Sequence, residues 1–266
     1  MSPEPASAAA ADPEARPKPV ALVTGGGKGV GAAIAHALAA DGVRVALMGR
    51  DRAALEETAH ASGGLVVLAD VTDPAAVERG LSRVREAWGS IGILVHNAGI
   101  APSAPLKATT DEIWEQTMAV NVTAGFRLAR ALVPAMVDSG WGRIVNVASV
   151  AGLTGFAYTS AYCASKHALV GLTRALAAEL ARTRVTVNAV CPGFLETEMT
   201  ARTLANITAK TGKSPEEARR ALEELSPQRR LFQVEEVAHV VRMLCADDAR
   251  GIHGQAISVC GGQVMR

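Results

Sequence analysis

VALVTGGGKGVG, residues 20–31, decides the fold. VALVT is a short run with no charge, the pattern of a strand covered on both faces. VGAAIAHALAADG (30–42) repeats its apolar residues at helical spacing and stops at Asp41-Gly42. Between them the glycines allow a tight turn and a close main-chain approach to an anion. The following helix presents free N–H groups and the positive end of its dipole. Strict GxGxxG spacing fails, because Val30 stands where the last glycine belongs. A Walker A loop fails too, since Gly29 follows Lys28. A plain glycine-rich turn is the competing reading.

Outward from this stretch, apolar runs recur at 43–48, 65–69, 91–96, 143–148, 184–190 and 256–260, separated by helical patterns. That alternation implies βαβ units in one α/β domain over residues 19–266, a doubly wound, Rossmann-like parallel sheet of about seven strands with helices on both faces. Residues 1–18, rich in Ala, Pro and charge, read as a disordered N-terminal tail. TDEIWEQTMAVNVTAGFRLARALVPAMV (110–137) reads as one long helix with Asn121 in its interior, where propensity disfavours it. That asparagine is either functional, a satisfied buried amide or the mark of a local irregularity.

The chain of 266 residues is 49% hydrophobic and 20% charged with a formal net charge of +1, which offers no electrostatic footprint for nucleic acid. Residues 144–165, the longest uncharged stretch, are too polar for a membrane span. No basic start leads into an apolar core, so no signal peptide is expected. Four cysteines without a CxxC, and six histidines without a metal motif, predict no metal site and a reduced, cytoplasmic setting.

Only two tyrosines occur. Tyr162 and Lys166 are four residues apart in a helical pattern and so share a face. A neighbouring ammonium stabilises a phenolate. Ser149 ends the run RIVNVA (143–148), at the edge where parallel sheets hold ligands. Taken singly, each has an ordinary reading: a core tyrosine, a solvated lysine, a capping serine.

Together these residues resemble the short-chain dehydrogenase/reductase family. Thr24, Gly25, Gly29 and Gly31 match its TGxxxGxG loop, and Asn121, Ser149, Tyr162 and Lys166 match its Asn-Ser-Tyr-Lys tetrad. HNAG (96–99) resembles its NNAG segment, with His96 in place of the first Asn. The resemblance implies that Val30 completes the glycine loop and that Asp70 and Val71 flank the adenine. It sets Asn97, Ala98 and Gly99 beside the cofactor, and Pro192, Gly193 and Thr197 at the nicotinamide. It further implies that Tyr162 donates a proton, that Ser149 polarises the carbonyl, and that Lys166 lowers the Tyr162 pKa and holds the nicotinamide ribose. Asn121 then anchors a water behind Lys166.

The second strand lacks the terminal acid that accepts ribose hydroxyls and runs instead into Arg50. With Lys28 this favours a 2′-phosphate, hence NADPH over NADH, although Asp51 follows directly. Residues 164–199 and 254–262 look like ketoreductases of aromatic polyketide synthesis and 3-oxoacyl thioester reductases. That implies a keto group on an acyl carrier protein or coenzyme A, a substrate lid over 194–230 in which Arg219 and Arg220 meet the arm's phosphate, and a homotetramer. Tyr158 is expected to line the pocket. The alternatives are a secondary-alcohol dehydrogenase or ketone reductase using either nicotinamide, and a non-catalytic dinucleotide sensor.

Overall fold

The structure, a computed structural model, describes residues 18–265. The expected tail lies outside the described residues except for Lys18. Seven strands form one all-parallel sheet: β1 (Val20–Thr24), β2 (Arg44–Gly49), β3 (Leu65–Leu68), β4 (Ile93–His96), β5 (Gly142–Val147), β6 (Val185–Pro192) and β7 (Ala256–Val259). Their order is β3-β2-β1-β4-β5-β6-β7, so the winding reverses between β1 and β4. β1 matches the sequence reading residue for residue, and the other strands fall within two residues of it at either end.

Alternate β1 residues feed opposite layers. Ala21 and Val23 pack with α1 (Gly29–Ala40), α2 (Arg52–Ser62) and α9 (Val234–Cys245) through Ile34, Leu38, Leu55, Val237 and Val241. Val20 and Leu22 pack with α3 (Pro74–Trp88), α5 (Ala124–Asp138) and α6 (Ser160–Leu180) through Leu81, Val84, Leu128, Leu132 and Ala177. Burial on both faces explains why the strands read as continuous apolar runs. Asp41, beyond α1, takes both arms of the Arg242 guanidinium at 2.5 and 2.6 Å and ties α1 to α9.

The expected long helix is interrupted. α4 (Asp111–Met118) and α5 are joined through a π-turn, Ala119–Thr123, with Asn121 fully buried inside it. The asparagine disfavoured by propensity thus marks both an irregularity and a satisfied amide. Residues 194–230 carry α7 (Glu198–Thr211) and α8 (Pro215–Glu223). Among the described residues no helix is long and apolar enough to cross a membrane.

At the amino edge of the sheet, Arg143 on β5 is 2% exposed. Its guanidinium donates to the main-chain oxygens of Gly142 (2.9 Å), Ala246 (3.2 Å), Arg184 (3.3 Å) and Asp247 (3.4 Å), and lies over the Trp141 ring. A guanidinium has five donors in a rigid plane and no other side chain spans these carbonyls. Arg143→Leu should therefore destabilise the fold by about 2–4 kcal/mol, measured by denaturant unfolding.

Candidate active site

The carboxyl ends of β1, β4, β5 and β6 open onto the crevice at the β1/β4 reversal, where open α/β sheets hold their ligands. Gly25 and Gly29 adopt φ of +63° and +51°, a region that favours glycine. A Cβ on Gly31 would strike the Gly25 carbonyl oxygen and lie 2.7 Å from Asn97 Nδ2. Asn97 Nδ2 donates to the main-chain oxygens of Thr24 (3.0 Å) and Gly25 (3.2 Å). Thr24 Oγ1 accepts from the main-chain N–H groups of Asn97 and Ala98, both at 3.0 Å. Thr58 Oγ1 holds the Gly27 carbonyl at 3.0 Å. α1 begins with no side-chain cap and no acid in its first turn. Its free N–H groups and the tight glycine path fit a dinucleotide pyrophosphate. Val30 is half-buried and packs on the α1 side of the sheet.

At the end of β2 the two expected cations are present, each facing a carboxylate. Lys28 Nζ lies 2.9 Å from Asp51 Oδ2 and 4.0 Å from Glu198, the first residue of α7. Arg50 lies 3.4 Å from Asp70. Hydrogen bonding to Lys28 holds the Asp51 carboxyl below its usual range, and Asp51 also caps α2 through Ala54 N–H. These pairs are exposed, and such pairs are weak. Asp70 accepts from the Thr72 N–H (2.8 Å) and hydroxyl (2.7 Å). The Val71 side chain packs in the core cluster.

The catalytic candidates converge beyond β5. Ser149 opens a short 3₁₀ turn, Val150–Gly152, its Oγ accepting from Ala151 N–H at 3.1 Å. Tyr162 and Lys166 project from the first turns of α6, and Lys166 Nζ sits 5.7 Å from the Tyr162 ring centre. Lys166 donates to the Val147 carbonyl at 2.8 Å. Burial lowers its pKa to about 8. Burial raises the Tyr162 phenol, and a hydrogen bond with Ser149 opposes that rise. The phenol is therefore shifted opposite to the lowering expected from Lys166, which is not among the causes of the shift. Asn121 Nδ2 donates to Ser165 Oγ at 2.9 Å, and Ser165 donates to the Tyr162 carbonyl at 2.7 Å.

Pro192 ends β6, and Gly193 follows it, its N–H bonded to Val259 O at 2.9 Å. Thr197 caps α7 and approaches the glycine loop: its methyl would lie 3.6 Å from a Cβ on Gly29. Phe156 and Phe194 meet edge to face at 6.2 Å between the Ser149 turn and the start of the 194–230 segment. Tyr158 is 67% exposed at φ +64°, its carbonyl accepting from Ala104 N–H. Arg219 pairs with Glu196 and Glu223. Of the two arginines expected to meet a phosphate, then, Arg219 already has carboxylate partners and Arg220 is exposed. Ser165 had no separate signal in the sequence beyond its place inside Tyr162-Cys-Ala-Ser-Lys166.

Since the Gly31 position has no room for a Cβ, Gly31→Ala should weaken dinucleotide binding by more than about tenfold, read by fluorescence titration.

The short chain dehydrogenase family model matches residues 19–208. The chain is 40% identical over 261 residues to a Streptomyces violaceoruber protein named as ketoacyl reductase 1 of the granaticin polyketide synthase, covering 96% of each. It is 37% identical to the 3-oxoacyl-[acyl-carrier-protein] reductase of Escherichia coli over 92% of this chain and 97% of that one. A solved structure of an actinorhodin polyketide ketoreductase variant with NADPH superposes with a TM-score of 0.89 at 37% identity, covering 92% of this chain and 97% of the other. With the glycine loop, the crevice and the Ser-Tyr-Lys cluster in place, the chain belongs to the short-chain dehydrogenase/reductase family and is an oxidoreductase of that family.

Proposed function

We propose that this protein reduces a ketone to a secondary alcohol with NADPH, and that the ketone is a 3-oxoacyl thioester or polyketide intermediate carried on an acyl carrier protein or coenzyme A. The observation that carries the reading is the convergence of Ser149, Tyr162 and Lys166 beyond β5, with Asn121 buried behind them. Thr24 to Gly31 would cradle the pyrophosphate, Arg50 and Lys28 the 2′-phosphate, and Asn97 to Gly99, Pro192, Gly193 and Thr197 the nicotinamide end. The reduced nicotinamide supplies the hydride when bound.

The chain's own residues handle the proton. A phenol raised by burial stays protonated at neutral pH, which suits a donor to the carbonyl oxygen. Ser149 Oγ orients and polarises that oxygen by donating a hydrogen bond. Loss of the proton leaves a phenolate on Tyr162, and the Lys166 ammonium near its ring stabilises that charge. Asn121 holds the main chain beside Lys166. The half-buried Phe156 and Phe194 give the pocket mouth an apolar wall, and the 194–230 segment serves as lid. The thioester assignment rests on the relatives named for ketoacyl reduction. We further propose a cytoplasmic homotetramer, by likeness to the family.

Tyr162→Phe should keep NADPH affinity and lose turnover by about 10²–10⁴-fold, followed by NADPH absorbance; substantial residual turnover would overturn the assignment. Turnover should fall as pH rises through about 8, because Lys166 loses its positive charge there; a pH–rate profile checks this. A panel of 3-oxoacyl thioesters against free ketones, each with NADPH and NADH, should show preference for thioesters and NADPH. Preference for free ketones would identify a general ketone reductase, and no oxidation of either cofactor a dinucleotide sensor.

A further inference from the structure

His96, the last residue of β4, is 1% exposed and has a partner at each ring nitrogen. Nδ1 lies 3.3 Å from Thr24 Oγ1, and Nε2 lies 3.2 Å from the main-chain oxygen of Asn121. The protonation of the ring follows from its partners. Thr24 Oγ1 already accepts two N–H groups, from Asn97 and Ala98. A hydroxyl has two acceptor positions and one proton, so Thr24 must donate to Nδ1. Nε2 then carries the hydrogen and donates to the Asn121 carbonyl, which can only accept.

The fold makes room for this ring. A Cβ on Gly125, one turn beyond Asn121, would lie 2.6 Å from His96 Cδ2. Asn121 also grips Ile100 at both main-chain atoms: Oδ1 accepts from Ile100 N–H at 2.8 Å, and Nδ2 donates to Ile100 O at 2.9 Å. Thr24 thus holds the beginning of segment 97–100, Asn121 holds its end, and His96 joins the two holders. Gly99 lies inside this closed circuit. A Cβ there would be 3.3 Å from Asn121 Oδ1 and 3.5 Å from Lys166 Nζ.

We infer that His96 is a positioning residue: a neutral, Nε2-protonated imidazole strut that fixes the spacing between the end of β1 and the π-turn, and thereby seats segment 97–100 and Asn121 against Lys166. The inference rests on the catalytic reading given above. Burial and the nearby Lys166 charge, which bring the imidazole pKa to about 4, keep the ring neutral at neutral pH.

The test combines 15N-histidine NMR of the full chain with two variants. The His96 signal, assigned by its loss in His96→Gln, should show an unprotonated Nδ1 and a protonated Nε2 at neutral pH. Gln reaches the Nε2 position and keeps the donor to Asn121, whereas Leu fills space and keeps neither bond. His96→Leu should raise the NADPH Kd and lower kcat by about tenfold or more, while His96→Gln, which keeps the Asn121 bond but loses the Thr24 bond, should be impaired by about threefold in both. A proton on Nδ1, an unimpaired His96→Leu, or equal impairment of the two variants would overturn the inference. Should His96→Leu not fold, the tautomer and the comparison of His96→Gln with the parent decide. Tautomer and NADPH affinity need no turnover, so they judge His96 even if no carbonyl is reduced.

Discussion

Where parallel strands end together, their last main-chain groups lack the ladder partners that the interior enjoys, and buried groups must find others. In this sheet the ends of β1 and β4 lie side by side at the reversal of winding, under a loop whose glycines supply no side chains. Thr24, Asn97 and Asn121 satisfy those groups with side-chain hydrogen bonds. The same bonds keep the glycine path open and set the floor of the crevice.

Charge is distributed differently at the two ends of the crevice. Toward β2, cations and carboxylates meet in solvent, where pairing is weak and exchangeable. Toward β5, a single ammonium is buried among neutral dipoles, and its surroundings cost it proton affinity. An exposed cluster can trade partners with an incoming anion, whereas a buried charge can only respond to charge generated beside it. The first arrangement suits holding and the second suits chemistry.

Much of the fold was legible because its signals are local. Strands covered on both faces are apolar without interruption, and VALVT needed no correction. Tyr162 and Lys166 were legible from helical spacing, and Asn121 from its poor fit to a helix interior. What the sequence did not reveal depends on partners distant in the chain. The ring of His96 is bonded to residues 72 and 25 positions away, so its departure from the family pattern could be noticed but not interpreted. The Lys28–Asp51 pair and the engagement of Arg219 by Glu196 are likewise products of folding, and both temper a reading that treats these cations as free to bind phosphate.

Arg143 binds four carbonyls at the amino edge of the sheet, the edge away from the crevice. This buried polar anchor is therefore remote from the crevice at the carboxyl edge. A change confined to the loops at the carboxyl edge leaves in place the cohesion that this guanidinium supplies at the other.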